Sequence, residues 1–168
     1  MTAIKTLLIH ESVNGPNIEF DKEDKIATLG LSEYDFNRVN IEFILYHEFS
    51  HIIDRIDPDF GYSDEKKELL TDPEKLCVME LWNIYIDSRL NNHDLFRLGE
   101  NDNNVLCRIN GKLQKAPYSI EGKLLCHISF LRSRGFIDAD SIVREFWQHP
   151  LKIRSYDDFI ESTRKNVG

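Results

Sequence analysis

The sequence predicts an α+β protein that is mostly helical, with a small β-sheet near the N-terminus. Short apolar segments separated by turn residues fill the region from residue 6 to residue 31, a pattern typical of short strands. Beyond that region, apolar residues recur at steps of three and four, which indicates helices that bury one face. The 168 residues contain no repeat, low-complexity tract or linker, so we expect one domain spanning residues 1–168.

The sheet is expected to come from three short segments. The apolar stretch TLLIH, residues 6–10, predicts a first strand. Asn14-Gly15-Pro16 then marks a turn, because glycine and proline favour turn conformations. Residues 18–31, with the sequence IEFDKEDKIATLGL, predict two further strands on either side of the polar DKED turn.

A long helix is predicted at about residues 33–56. Ser32 followed by Glu33 and Asp35 is a plausible helix start, since acidic residues favour the first turn; a start nearer Asn40 also fits. The helix is expected to end at Asp57, because the residue before a proline avoids the helical conformation. Its predicted buried face consists of Ile41, Ile44, Leu45, Phe49, Ile52 and Ile56.

A second helix is predicted at about residues 73–91. It follows a polar connection, DPDFGYSDEKK at residues 57–67, and it begins at Pro73, which the first turn of a helix tolerates. Gly135 and Pro150 separate the helical patterns that follow. Three further helices are expected, at residues 119–134, 138–149 and 155–165.

Composition limits the classes of partner. The formal net charge is −8 and no basic patch stands out, so we expect no nucleic-acid partner. No apolar run approaches the roughly 18 residues that a membrane span needs, so we expect no membrane partner. The N-terminal residues carry too short an apolar stretch for a secretory signal, which favours a cytoplasmic location.

The three cysteines, Cys77, Cys107 and Cys126, are odd in number and far apart in the sequence, and we expect three reduced thiols.

The segment LYHEFSHIID, residues 45–54, carries the clearest chemical signal. His47 and His51 are four residues apart, so on a helix they share one face with their Cβ atoms about 6 Å apart. Two imidazoles in that arrangement can bind one metal ion. Glu48 is turned by about 100° from His47, so it can reach a metal-bound water without replacing a histidine ligand.

His47-Glu48-Phe49-Ser50-His51 resembles the HExxH motif of the zincin metallopeptidases. The resemblance implies a single zincin-like domain in which His47 and His51 bind Zn²⁺ and Glu48 is the general base. It also implies a peptide or protein substrate. In zincins an edge strand upstream of this helix holds the substrate backbone, and KIATLGL, residues 25–31, looks like that strand.

A third ligand is expected from the second helix. WNIYIDSRLN, residues 82–91, resembles the W-N-x-x-x-D-x-x-[IL]-N run of putative metallopeptidase domains that follow an HExxH helix, and that resemblance implies Asp87 as the ligand. Glu80, on the same helix face, is the rival that gluzincins suggest. Asp57, His93 and His127 also remain open, and Asp87 is alternatively a structural carboxylate paired with Arg89 or Lys75.

The expected function is hydrolysis of peptide bonds by a zinc-dependent metallopeptidase. The alternative is a non-catalytic zinc-binding interaction module with a zincin fold. The carboxylate of Glu48 favours the enzyme, because a structural zinc site has no need of a base and prefers four protein ligands. A DNA-linked protease of the SprT kind is a third possibility, which the acidic charge disfavours. The sequence gives no indication of the oligomeric state.

Overall fold

A computed structural model describes residues 4–13, 16–36, 41–92, 105–109, 112–116, 120–150, 153 and 155–166. The chain divides into two compact units, Met1–Tyr62 and Ser63–Gly168. The first contains a three-stranded sheet and the second consists mainly of helices, so the predicted α+β class is confirmed. The sequence predicts a single domain spanning residues 1–168. That expectation stays a prediction.

The sheet of the N-terminal unit contains the strands β1 (Thr6–Glu11), β2 (Asn17–Asp21) and β3 (Ile26–Leu31), as the sequence predicts. Its order is β1-β3-β2. β1 runs parallel to β3 and β2 runs antiparallel to it. The expectation that KIATLGL is an edge strand is therefore wrong. β3 is the central strand, and its two edges already bond to β1 and β2, so it has no free edge for a substrate backbone.

The predicted helix at residues 33–56 contains two described segments, α1 (Glu33–Phe36) and α2 (Ile41–Ile56), and residues 37–40 lie outside the described part. The acidic start signal is real, since the Asp35 carboxylate accepts hydrogen bonds from the Ser32 amide at 2.9 Å and hydroxyl at 2.7 Å. Asn40, the alternative start, is among the residues outside the described part.

The helix α2 lies against one face of the sheet. Its apolar residues Ile44 and Ile52 pack with Leu29 and Leu31 of β3 and Ile18 of β2 in one buried cluster. Burying such side chains removes apolar surface from water, which stabilises the fold by about 1.5–3 kcal/mol for each large residue. The cluster fixes which face of α2 points away from the sheet.

The C-terminal unit is arranged around one long helix. Its helices are α3 (Asp64–Glu68), α4 (Asp72–Asn92), α5 (Ile120–Ser133), α6 (Ala139–Gln148) and α7 (Tyr156–Asn166). α4 packs against α5, α6 and α7. Its Trp82 is fully buried and contacts the rings of Tyr156 and Phe159 at centroid distances of 5.7 and 6.4 Å. The predicted helices at 73–91, 119–134, 138–149 and 155–165 are confirmed within one or two residues.

Two elements of this unit are absent from the sequence-based prediction. The helix α3 forms within the predicted polar connection, where the Ser63 hydroxyl caps it by accepting a hydrogen bond from the Lys66 amide at 3.1 Å. The antiparallel strands β4 (Val105–Ile109) and β5 (Lys112–Ala116) form a second sheet. Residues 110–111 between these strands are Asn-Gly, the dipeptide most typical of two-residue hairpin loops, so a signal for this sheet was present.

The cysteines do not all match the expectation of three reduced thiols. Cys77 is a free thiol with no exposed surface, and burial raises its pKa to about 11. Cys126, on α5, is disulfide-bonded, so the expectation is wrong there. An odd number of cysteines without a CxxC pair still allows one disulfide between residues that are far apart in the sequence, so the pattern could not predict this bond.

Among the described residues, no helix is both long and apolar enough to cross a bilayer.

Candidate metal centre

His47 and His51 lie on the same face of α2, as their spacing predicts. Their ring centroids are 5.1 Å apart and the ring planes are inclined at 72°. His51 is 4% exposed, while His47 is half-buried. The ring of Phe43, one turn earlier, lies 6.4 Å from the His47 ring. Two adjacent imidazoles with one apolar neighbour form a donor pair that suits a divalent zinc ion.

The position of Glu48 distinguishes it from an ordinary surface carboxylate. It lies four residues after Ile44 and four before Ile52, so it shares their side of the helix. Both isoleucines belong to the core, with exposures of 8% and 1%, and Glu48 between them is half-buried. Glu48 is therefore a partly desolvated carboxylate on the side of α2 that carries the core isoleucines, and it is next to His47 in the sequence.

The helix that carries these residues is held rigidly on its sheet-facing side. The core contacts of Ile44 and Ile52 lie on either side of the motif along the helix axis. Ser50, within the motif, donates a hydrogen bond from its hydroxyl to the Tyr46 carbonyl at 2.7 Å, so its side chain is directed along the helix. The histidine pair thus lies on a helix whose core contacts flank the motif on both sides, as a functional site built on a regular element needs.

Asp87 lies in a buried group of charged side chains within the C-terminal unit, which we call the buried charge cluster: Glu80, Asp87, Lys123 and His127. Asp87 is 1% exposed, and its Oδ2 lies 2.6 Å from the Lys123 ammonium. The same Oδ2 lies 3.4 Å from His127 Nε2, a charge contact that lacks the alignment of a hydrogen bond. His127 Nδ1 is hydrogen-bonded to Glu80 Oε1 at 2.6 Å. The helices α4 and α5 supply two residues each.

His127 is held in its protonated form by this cluster. Its burial alone lowers the pKa, but the negative charges of Glu80 and Asp87 and the hydrogen bond to Glu80 outweigh that effect and raise the pKa to about 9. At neutral pH the His127 imidazole is therefore protonated, and it lies between Glu80 and Asp87. Pairing of this kind is the condition under which ionised groups are tolerated inside a protein.

The structure adds a partner for Asp87 beyond the two that the structural alternative named, Arg89 and Lys75. Lys75 forms an ion pair with Glu68 at 3.4 Å, and Arg89 places its guanidinium over the Tyr85 ring, 4.3 Å from the centroid. The added partner is Lys123. Sequence spacing could not reveal this contact, because Lys123 lies on a different helix, 36 positions along the chain.

The remaining ligand candidates have other surroundings. Glu80 and His127 are bonded to each other within the buried charge cluster. Asp57 is exposed, and its Oδ1 accepts a hydrogen bond from the Asp59 amide at 2.9 Å. His93 lies outside the described residues. Within the described part of the chain, no group of three or more histidine, cysteine, aspartate or glutamate side chains is arranged to hold a metal ion.

Comparisons with known proteins give no match: no family model, no curated protein and no solved structure corresponds to this chain.

Proposed function

We propose that the chain is a zinc-dependent metallopeptidase whose metal is bound by His47 and His51. The observation that carries the proposal is the pair of histidine rings 5.1 Å apart on one face of α2. The half-buried Glu48 beside them adds the base that hydrolysis requires. The two imidazoles suit zinc because, in HExxH motifs, histidines at positions i and i+4 of one helix bind zinc through their ring nitrogens.

The proposal gives each of the three residues a role. A bound zinc ion supplies Lewis acidity and brings the pKa of a coordinated water toward neutrality. His47 and His51 would hold the ion on α2. The Glu48 carboxylate would accept the proton of the attacking water and later deliver it to the leaving amine nitrogen of the peptide. Ile44 and Ile52 pack α2, which carries these three side chains, against the sheet.

Asp87 remains the proposed third ligand, with Glu80 as its rival. Both Lys123 and His127 contact Asp87 through Oδ2. Carboxylates that bind metals are commonly oriented by neighbouring hydrogen-bond and charge partners, and the buried charge cluster supplies such partners. Glu80, by contrast, is 15% exposed and bonds to His127 through Oε1. We keep Asp87 as the proposed ligand on the resemblance of residues 82–91, WNIYIDSRLN, to the run that follows an HExxH helix.

The proposal is tested by proteolysis of a complex peptide pool. Wild-type protein and the Glu48→Gln variant are incubated with peptides from a cell lysate, and new peptide termini are identified by mass spectrometry. We expect new termini with wild type alone, and none when a chelator is added. Identical cleavage by Glu48→Gln would contradict the assigned base. Retained zinc without any cleavage by wild type would favour a non-catalytic zinc-binding module.

A further inference from the structure

The strand β1 exposes more apolar surface than an edge strand normally does. All six of its residues are exposed, and Leu7, Leu8 and Ile9 have exposures of 42%, 50% and 55%. Among the described residues β1 pairs only with β3, which leaves its other edge open. Edge strands are usually protected from further pairing by proline, charge or a bulge, and the stretch from Thr6 to His10 contains neither proline nor a charged lysine, arginine or carboxylate.

The backbone of β1 presents its free hydrogen-bonding groups at alternate residues. The amides of Lys5 and Thr6 both donate to the Lys25 carbonyl, at 2.9 and 3.4 Å, and the Ser12 amide donates to the Leu31 carbonyl at 3.1 Å. From Thr6 onwards the even-numbered residues therefore bond towards β3. Alternation along a strand then directs the amide and carbonyl groups of Leu7 and Ile9 towards the open edge. Any strand that adds there must use these groups.

The charges at the two ends of β1 are complementary when the strand pairs with itself. In an antiparallel arrangement centred on Leu8, Leu7 of one copy lies opposite Ile9 of the other. The amide and carbonyl groups that these two residues direct outwards can then form hydrogen bonds with each other. The same register places Lys5 opposite Glu11 at both ends. The neighbouring registers that keep the backbone in phase are centred on Leu7 or Ile9, and they lack the Lys5 to Glu11 pairing. Opposite charges facing each other across strands stabilise a sheet, whereas like charges destabilise it.

We propose that β1 is a self-association surface, through which two copies of this chain form a symmetric dimer with a continuous six-stranded sheet. Such an interface is isologous, since the same strand serves both partners about a two-fold axis. The Leu7 and Ile9 side chains lie on the α2 side of the sheet, because they are register partners of the buried Ala27 and Leu29. Pairing therefore brings Leu7 of one copy next to Ile9 of the other on that side of the sheet and covers part of their exposed apolar surface.

A cavity at the end of β1 supports the same register. It has a volume of about 390 Å³ and is lined by Ile9, His10, Glu11, Leu31 and Glu33. Its two carboxylates make it an acidic recess next to the position where Lys5 of the second copy arrives. The dimer requires no zinc, so it does not depend on the proposed peptidase activity.

The experiment is sedimentation velocity over a concentration series with the full chain. A two-strand interface is small, so we expect a reversible dimer whose fraction increases with protein concentration. Lys5→Glu places two acidic residues opposite each other at both ends of the interface, and we expect the dissociation constant to rise about tenfold. Glu11→Lys should have the same effect through two lysines.

The double variant Lys5→Glu/Glu11→Lys restores opposite charges and should return the dissociation constant to within about threefold of wild type. Lys165→Glu is the matched control, because it makes the same change in net charge at an exposed site on α7, and it should leave the dimer unchanged. A wild-type chain that stays monomeric throughout the series overturns the proposal. So does a dimer that is insensitive to the single charge reversals, because its interface must then lie elsewhere.

Discussion

Removing the ammonium of Lys123 tests whether Asp87 is held by a buried ion pair. We consider Lys123→Met, which keeps the length of the apolar stem and deletes the charge 2.6 Å from Asp87 Oδ2. The Asp87 side chain is 1% exposed and that of Lys123 is 17% exposed, so water cannot readily replace the lost partner. Removing one partner of a buried pair typically costs about 3–5 kcal/mol.

We expect a loss near the lower end of that range, about 3 kcal/mol in the free energy of unfolding. The reason is that His127, whose pKa is about 9, remains protonated at pH 7 and still lies 3.4 Å from the carboxylate. Unfolding is measured with urea at pH 7 in the presence of a chelator, which removes any contribution of bound metal. Trp82 and Trp147 are the two tryptophans of the chain, and both are buried in the C-terminal unit, so their fluorescence reports its unfolding.

A double-mutant cycle separates the pair from its surroundings. Asp87→Asn, Lys123→Met and the double variant should give a coupling free energy of about 2 kcal/mol, since residues in direct contact are not additive. Lys165→Met is the matched control, because its partner Glu161 lies 3.4 Å away and both side chains are largely exposed. An exposed pair of this kind contributes less than about 1 kcal/mol. A loss for Lys123→Met no larger than that of the control would refute the reasoning.

Three further predictions concern the site and the core. Glu48→Gln should lower the rate of peptide cleavage by about 10²–10⁴ without loss of zinc, measured by cleavage kinetics beside metal analysis; unchanged turnover would exclude Glu48 as the base. Asp87→Asn should weaken zinc affinity more than Glu80→Gln does, measured by competition with a chromophoric chelator at matched folded fractions; the reverse order would assign Glu80 as the ligand. Cys77, buried and with a pKa of about 11, should not react with a thiol reagent at pH 8 until the protein is unfolded, and rapid labelling of the native chain would contradict its placement.

The elements that local pattern determines were predictable. The helix α4 (Asp72–Asn92) agrees with the prediction at 73–91 within one residue, because a proline in the first turn and a long apolar period define it. The predicted helix at 33–56 is described in two segments, Glu33–Phe36 and Ile41–Ile56. Its start was also predictable, because Ser32 and Asp35 form the hydrogen-bonded helix start that their sequence indicates.

Features that depend on distant parts of the chain were not predictable. The position of β3 at the centre of its sheet depends on which strands pair with it, and apolar alternation within β3 carries no information about that order. The contact between Asp87 and Lys123 joins two helices that are separated by the second sheet in sequence. The i, i+4 geometry of His47 and His51 is local, and it is the part of the candidate site that the sequence predicted in full.

Metal content is the most direct test of the central claim that His47 and His51 form a zinc site. The wild type, Glu48→Gln and the double variant His47→Ala/His51→Ala are purified without chelator, and zinc per folded chain is measured by mass spectrometry of the digested protein. We expect about one zinc per chain in the wild type and in Glu48→Gln, because Glu48 is not a proposed ligand, and almost none in the histidine variant. Equal zinc in all three proteins, or none in a folded wild type supplied with zinc, would contradict it.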